Sequence, residues 1–230
     1  IMTEFGNARI FGDGGNDYLQ GSQQYDEIQG GFGNDTILGR GGDDYLYDDQ
    51  GNNWIDGGDG NDSISIYAYK STAQTLLGGA GNDYINANID SQAGTLSLNG
   101  GAGDDTLSPS SAKQVTVTGG AGRDVLMLTN SNSYEPYAQS VVFADFQSGV
   151  GGDIVNVESL LRNYANGYDG SNPFTTGYLK LVQSGADALV QFGADGSKTT
   201  DYKTIARLQN TNINNLTSDN FSPIHDPWGG

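Results

Sequence analysis

The sequence repeats a nine-residue frame of the form Gly-Gly-X-Gly-X-Asp-X-aliphatic-X, and this repetition strongly limits the folds open to the chain. The frame is clearest at 57–65, where the residues are GGDGNDSIS, and it recurs at 30–38, 78–86, 100–108 and 119–127. A short fixed period is typical of a solenoid, in which each unit buries its apolar residue only by stacking on its neighbours. We therefore expect the repeats, rather than ordinary two-layer packing, to determine the architecture.

The frame can be followed through the first half of the chain. Units run without a gap from Thr3 to Ser65, although the first and third are degenerate and the sixth has Asn53 in place of the aspartate. After Ser65, intact units alternate with units that lack the turn glycines and the aspartate but keep a strand-like triplet. This interpretation gives about 13 units between Thr3 and Met127.

Each unit predicts a turn at positions 1 to 6 and a short strand at positions 7 to 9. Glycine supplies the backbone freedom that the turn needs, and in the strand only the aliphatic residue at position 8 faces inward. Two units make one coil, so the odd-numbered units share one edge of the solenoid and the even-numbered units share the other. The predicted core consists of Ile10, Leu19, Ile28, Ile37, Leu46, Ile55, Ile64, Leu76, Ile85, Leu98, Leu107, Val117 and Leu126.

The acidic turns predict bound cations. Stacked carboxylates repel one another unless a cation lies between them, and calcium accepts about six to eight oxygens from carboxylates and backbone carbonyls. Carbonyls alternate in direction along an extended turn, so positions 1 and 3 can serve one ion, positions 2 and 4 the next, and the aspartate both. The predicted ligands are Asp17, Gly30, Gly31, Phe32, Gly33, Asp35, Gly39, Gly41, Gly42, Asp44, Gly57, Gly58, Asp59, Gly60, Asp62, Gly78, Gly79, Ala80, Gly81, Asp83, Gly100, Gly101, Ala102, Gly103, Asp105, Gly119, Gly120, Ala121, Gly122 and Asp124.

The two edges are predicted to bind different numbers of ions. Intact odd turns follow one another from Gly39 to Asp124 and define four sites, with a weaker fifth at the third unit. The even edge offers one good site between the second and fourth units and a weaker candidate between the fourth and sixth. We expect about five to seven Ca²⁺ ions, mostly on the odd edge, against a net charge of −13 over residues 1–127. The alternative is a solvated acidic surface without metal.

The repeats between Thr3 and Met127 resemble those of RTX (repeats-in-toxin) proteins. The resemblance implies an all-β fold, a right-handed parallel β-roll with calcium in its turns. It also implies a secreted, extracellular or cell-surface protein of a Gram-negative bacterium, exported unfolded by type I secretion machinery and folding where it meets calcium. Such behaviour is physically reasonable, because without ions the chain repels itself and its core is thin.

Residues 128–222 have a different pattern, predicted to be a β-rich cap. The stretches ADF…GGDIVNV, GYLKLVQSGADALVQF and LTSDNF resemble the segment that follows many RTX blocks, and a solenoid needs a cap over its last coil. We expect strands near 141–146, 177–183, 188–192 and 203–208, with a short helix at Glu158–Leu161. Residues 223–230 are predicted to form an unpatterned tail.

Composition excludes several other classes of function. A net charge of −18 argues against nucleic acid and against an anionic membrane surface. The chain has no cysteine for disulfides, no apolar run long enough for a transmembrane segment, and no visible Sec-type signal. His225 is the single histidine and lies in the polar tail, so no catalytic set can be assembled around it.

Two functions are favoured after these exclusions, and a third, an intact enzyme, is disfavoured because no catalytic set is visible. The first is a non-catalytic calcium-triggered folding and secretion module of a larger extracellular protein, such as an adhesin, a toxin or a secreted hydrolase. The second is an adhesive module that binds a glycan or a cell surface through outward side chains. The outward positions 7 and 9 carry Tyr18, Leu38, Tyr45, Tyr47, Trp54 and Tyr84. Such aromatic rows also occur as simple cross-strand packing.

Overall fold

The chain is built from strands linked by tight turns, with a single α-helix in the part that the structure describes. A computed structural model describes residues 1–3, 5–69, 73–109, 112–129, 141–223 and 227. In chain order the elements are β1 (Arg9–Phe11), β2 (Tyr18–Gln20), β3 (Glu27–Gln29), β4 (Thr36–Gly41), β5 (Tyr45–Asp48), β6 (Trp54–Asp59), β7 (Ser63–Tyr69), β8 (Ala73–Ala80), β9 (Tyr84–Ala102), β10 (Thr106–Pro109), β11 (Ala112–Ala121), β12 (Val125–Met127), β13 (Val141–Phe143), β14 (Ile154–Asn156), α1 (Glu158–Tyr164), β15 (Leu179–Ser184), β16 (Asp187–Phe192), β17 (Lys203–Leu208) and β18 (Phe221–Ser222).

The strands form two parallel stacks around one apolar core. The odd stack contains the strands of the odd units, in the order β1, β3, β5, β7, the first part of β9, β10 and β12. The even stack contains β2, β4, β6, β8, the second part of β9 and β11. The side chains buried between the stacks belong to a single core cluster. The expected parallel β-roll is therefore confirmed.

The pairing register agrees with the nine-residue frame. In the odd stack Ile10 pairs with Ile28, and the same position-8 pairing continues through each later coil to Leu126. In the even stack the equivalent row runs from Leu19 to Val117. Every predicted core residue is at most 2% exposed. The insertions after Ser65 therefore lie in the connections and leave the register unchanged.

The core is wider than predicted in the second half of the roll. After β7 begins, the even-edge turns give way to extended chain, and Ile66, Ala68, Ile89, Leu96 and Val115 are buried there. The prediction that position 8 alone faces inward is therefore wrong for these units. The alternation of apolar and polar residues in Ser63–Tyr69 is the signal that was missed, because it continues the strand across the edge.

The strand stacks continue beyond Met127. Phe143 of β13 pairs with Val117 in the even stack, whereas Val155 of β14 pairs with Leu126 in the odd stack. Strand β13, which precedes ADF, and strand β14, within GGDIVNV, therefore lie in different stacks and do not pair with each other. β17 and β18 add a further strand to the two stacks, and β15 to β17 form an antiparallel meander.

The remaining expectations for the C-terminal segment are met in part. The helix predicted at Glu158–Leu161 extends to Tyr164 and buries Leu160 and Leu161. Residues 130–140 and most of the tail, including His225, lie outside the described residues. Within the described chain, no helix has the length and apolar character needed to cross a bilayer.

Replacing Gly81 with alanine should destabilise the fold by about 3 kcal/mol or more. Its φ of +129° is strained for a residue with a side chain, and an added Cβ would collide with the carbonyl oxygen of Gly60. Gly151→Ala is the control, because its φ is +75° and an added Cβ meets nothing within 4 Å. That control should cost only about 1 kcal/mol. Equal shifts in the urea unfolding midpoints, measured in one buffer, would contradict this account.

Candidate metal centre

Aspartates at position 6 connect successive coils along the odd edge. In each turn the aspartate Oδ1 accepts a hydrogen bond from the backbone N–H of the position-6 residue one coil earlier. The bonds measure 2.6–3.0 Å. The acceptors are Asp26, Asp44, Asp62, Asp83, Asp105, Asp124 and, beyond the repeats, Asp153. We call this row of carboxylates the odd ladder.

The second oxygen of most of these carboxylates has no hydrogen-bond partner among the described residues. Oδ2 is buried and unpaired in Asp44, Asp62, Asp83, Asp105 and Asp124. A buried polar oxygen without a partner is costly, and a repeated row of them indicates a missing ligand of positive charge. These oxygens therefore fit a cation held between the turns.

Asp26 differs from the later members of the odd ladder. Its Oδ2 accepts a 2.6 Å hydrogen bond from the backbone N–H of Ser22, in a turn that has lost its inner glycines. The weaker fifth site predicted at the third unit therefore lacks the unpaired oxygen that the other sites offer.

The backbone carbonyls of the turns alternate in direction as expected. A Cβ added to Gly58, at position 2, would collide with the carbonyl oxygen of Arg40, so that carbonyl points to the later coil. The position-3 carbonyl of Ala80 points the opposite way and accepts a 2.7 Å bond from Gly60 N–H. A Cβ added to Gly57 would collide with Oδ2 of Asp62 and lie 2.5 Å from the carbonyl oxygen of Gly78. Carbonyl and carboxylate oxygens of two turns thus converge beside the first-position glycine.

Burial disfavours the charged form of these unpaired carboxyl groups unless a cation is bound. Burial, helped by neighbouring carboxylates and opposed by the backbone hydrogen bonds that these groups accept, raises the pKa of Asp44, Asp83 and Asp124 to about 7. Burial likewise raises the pKa of Asp62 and Asp105 to about 6. A divalent cation at these oxygens would reverse this preference by stabilising the charged form.

The described residues contain no group of three or more His, Cys, Asp or Glu side chains placed to share a metal. This agrees with a site of one or two carboxylates completed by backbone carbonyls, which suits calcium and not zinc.

The even edge has a shorter ladder that changes from carboxylates to amides. Asp35 Oδ1 accepts from Asp17 N–H at 2.8 Å, and Asn53 Oδ1 accepts from Asp35 N–H at 2.8 Å. Gln74 Oε1 then accepts from Asn53 N–H at 3.1 Å. An amide oxygen accepts the same bond without a charge, so the ladder continues where the negative charge does not. Unpaired buried oxygens occur here on Asp17, Asp35 and Asp48.

Each edge also has a second ladder, at position 5, which was not predicted from the sequence. Side-chain oxygens at this position accept from the N–H of the next coil, for example Asn61 Oδ1 from Asn82 N–H at 2.8 Å. The position-5 acceptor therefore lies one coil before its donor, whereas in the odd ladder the acceptor lies one coil after its donor. The recurrence of Asn or Asp before the position-6 aspartate is the signal that could have revealed it. The acceptors are Asn16, Asn34 and Asn52 on the even edge and Asp43, Asn61, Asn82 and Asp104 on the odd edge.

Three residues outside the repeats complete the last turn, and sequence reasoning did not assign them this role. Asp145 accepts from the N–H groups of Gly119 and Gly120, both at 2.9 Å. Asp153 Oδ1 accepts from Asp124 N–H, and its Oδ2 accepts from Gln147 N–H at 2.7 Å. Asn220 Nδ2 donates to the Asp153 carbonyl at 2.9 Å. The sequence GGDIV at 151–155 repeats the end of the turn frame and is the signal for Asp153.

Comparison with known proteins agrees with this geometry. The model of the RTX calcium-binding nonapeptide repeat family matches the chain in four copies, at residues 11–46, 38–65, 71–91 and 97–109. No curated protein matches the chain significantly. The matched segments lie within the parallel stacks and their aspartate-lined turns, so the repeat block of this chain is similar to that family and fits an RTX β-roll.

Proposed function

We propose that the chain is a calcium-triggered folding module of a larger secreted bacterial protein, exported by type I machinery and without catalytic activity of its own. The row of buried, unpaired Oδ2 atoms on the odd ladder is the observation that carries the proposal. Calcium supplies positive charge at these oxygens, and the fold supplies oxygens that the extended chain does not bring together.

Each odd-edge site draws its oxygens from two consecutive odd turns. Between the seventh and ninth units, positions 2 and 4 of the earlier turn and positions 1 and 3 of the later turn offer carbonyls, including those of Gly58 and Gly78. Asp62 offers its unpaired Oδ2, and Asp83 belongs to the later turn. The set matches the number of oxygens, about six to eight, that calcium takes in proteins. The same arrangement recurs between the units on either side.

Calcium acts as a stabilising ligand of the folded state in this proposal. An ion that binds only the folded chain adds about 1.4 kcal/mol of stability for each tenfold rise in free calcium above its dissociation constant. Several sites in one row add these contributions together. Extracellular calcium modules bind at about 10⁻⁴–10⁻³ M, so the chain would stay unfolded in a low-calcium cytoplasm and fold outside the cell.

Residues 128–222 cap the roll of residues 1–127 in this proposal. Strands β13, β14, β17 and β18 cover both stacks, and their pairing leaves Val117 and Leu126 inside the core. Asp145 and Asp153 satisfy backbone N–H groups of the last calcium turn. A terminal element of this kind protects the open end of a solenoid.

An adhesive role is the second candidate, supported by exposed aromatic side chains. Tyr45 is 41% exposed and Trp54 is 37% exposed. Tyr45 lies in the odd stack and Trp54 in the even stack, so these two do not belong to one row. Tyr84 is aligned with Tyr45 in the odd stack, although Ser63 stands between them.

Calcium titrations of two neighbouring variants should separate a ligand from a surface charge. Asp105→Asn removes the charge at a buried, unpaired Oδ2 and should raise the calcium midpoint of folding at least about tenfold. Asp104→Asn is the control, because Asp104 is exposed and an amide can still accept from Arg123 N–H. Circular dichroism reports the midpoints. Wild-type protein equally folded in EDTA would refute the calcium-triggered role.

The stability of the protein should depend on pH in opposite directions with and without calcium. The folded pKa values of about 6 to 7 lie above the ordinary 3.8, so the ion-free folded state binds extra protons. Its stability should be greatest below the ordinary pKa and fall as pH rises through 6 to 7. In EDTA, β-structure should therefore increase from pH 8 to 5.5. Calcium affinity should decrease over the same range, because protons compete for the same oxygens. Ion-free protein that gains β-structure as pH rises would contradict this expectation.

Glycan-array binding tests the adhesive alternative on the calcium-loaded protein. If the aromatic face binds sugar, Tyr45→Ala and Trp54→Ala should each lower the signal while leaving the calcium midpoint unchanged. An array signal that neither substitution alters would exclude these two side chains as the binding surface.

A further inference from the structure

Asp48 is a buried carboxylate at a position where intact units have glycine. It occupies position 1 of the sixth unit, in the sequence DDQGNN. Its side chain is fully buried, Oδ1 accepts from Gln50 N–H at 3.1 Å, and Oδ2 has no hydrogen-bond partner among the described residues. The usual roles of a buried aspartate, as an ion-pair or hydrogen-bond partner, do not account for this oxygen.

The unpaired oxygen of Asp48 faces the unpaired oxygen of Asp35. A Cβ added to Gly30 would collide with Oδ2 of Asp48 and lie 2.8 Å from Oδ2 of Asp35. At the equivalent odd-edge glycine, Gly57, the two oxygens are Oδ2 of its own aspartate and a backbone carbonyl of the later turn. At this even-edge turn a carboxylate oxygen therefore lies where the odd edge has a backbone carbonyl oxygen, as does the earlier even-edge turn at Gly12.

Asn53 explains why the extra carboxylate is needed. It occupies position 6, where it keeps the ladder bond from Asp35 N–H at 2.8 Å but brings no charge. Its Nδ2 donates to the Gln50 carbonyl at 3.3 Å, so the amide faces the backbone of its own turn. Each odd site has a position-6 carboxylate on both turns. Here Asp35 and Asp48 provide the same pair of charges from positions 6 and 1.

We propose that the turns at 30–35 and 48–53 hold a calcium ion on the even edge, and that Asp48 supplies the carboxylate that Asn53 lacks. This assignment rests on the proposed calcium-binding function. The carbonyls at positions 2 and 4 of the earlier turn, Gly31 and Gly33, point toward the later turn as they do on the odd edge. The ion neutralises two carboxylates that would otherwise repel each other inside the protein.

The competing arrangement is a proton shared between Asp35 and Asp48 without metal. The two arrangements differ in the number of calcium ions bound per molecule, which equilibrium dialysis measures at saturating calcium. Asp48→Asn should lower this number by one. Asp49→Asn is the control, because it removes the same charge next to Asp48 from a side chain that already has partners, Tyr47 and Gln29. It should leave the number unchanged.

A compensating pair of substitutions makes the test independent of the folding of one variant. Asp48→Gly restores the intact frame at position 1 and should also lose one ion, whereas Asp48→Gly combined with Asn53→Asp should recover it. Wild-type stoichiometry in Asp48→Asn and Asp48→Gly would overturn the assignment and leave the proposed function intact. A wild-type protein that binds no calcium would overturn the proposed function itself.

Discussion

The position-6 carboxylate is the group on which the rest of the roll depends, because one of its oxygens joins two coils and the other is available to a cation. Oδ1 accepts a backbone N–H from the coil before it, so one side chain fixes the spacing and register of two coils. Oδ2 is buried from Asp44 to Asp124 on the odd edge and has no hydrogen-bond partner in the described part of the chain. The hydrogen bond can form only if the carboxyl group is buried, and the buried group keeps its negative charge at low cost only if a cation is buried with it. The proposed folding role follows from this arrangement, because stacking of the coils and binding of the metal would then occur together.

Amides mark the places where the rows of charge stop. On the even edge Asn53 and then Gln74 replace the aspartate, and each still accepts the ladder bond. On the odd edge the last carboxylate, Asp153, has both oxygens hydrogen-bonded, and Asn220 follows it with a side chain that both donates and accepts. The position-5 ladder of the odd edge ends at Arg123, whose side chain instead donates to the carbonyls of Gly152 and Asp219. The type of side chain at the ladder position, and not a change in strand geometry, therefore determines where each row of candidate metal ligands ends.

The sequence predicts those parts of the structure that repeat with a fixed period. The core row from Ile10 to Leu126 follows from the frame, because a position that recurs every nine residues meets itself one coil later. Ile66 and Ile89 were missed because their period is two and they lie where the frame lapses. The role of Asp48 was not predicted, because one aspartate in place of the first glycine looks like a degenerate repeat unit. Its role depends on Asp35 in the neighbouring coil, and only the folded register shows that they meet.

The two edges of the roll depend on calcium to different degrees. The odd edge keeps its unpaired carboxylates as far as Asp124, whereas the even edge replaces them after Asn53 with buried aliphatic residues such as Ile66, Ile89 and Leu96. Burial of one such side chain contributes about 1.5–3 kcal/mol and needs no ion. The second half of the roll therefore has an apolar edge that holds the strands without metal and an acidic edge that repels itself without metal. If calcium binds as proposed, its removal in this second half acts on the odd edge alone, so the coils there would separate along the odd edge while the even edge still favours contact.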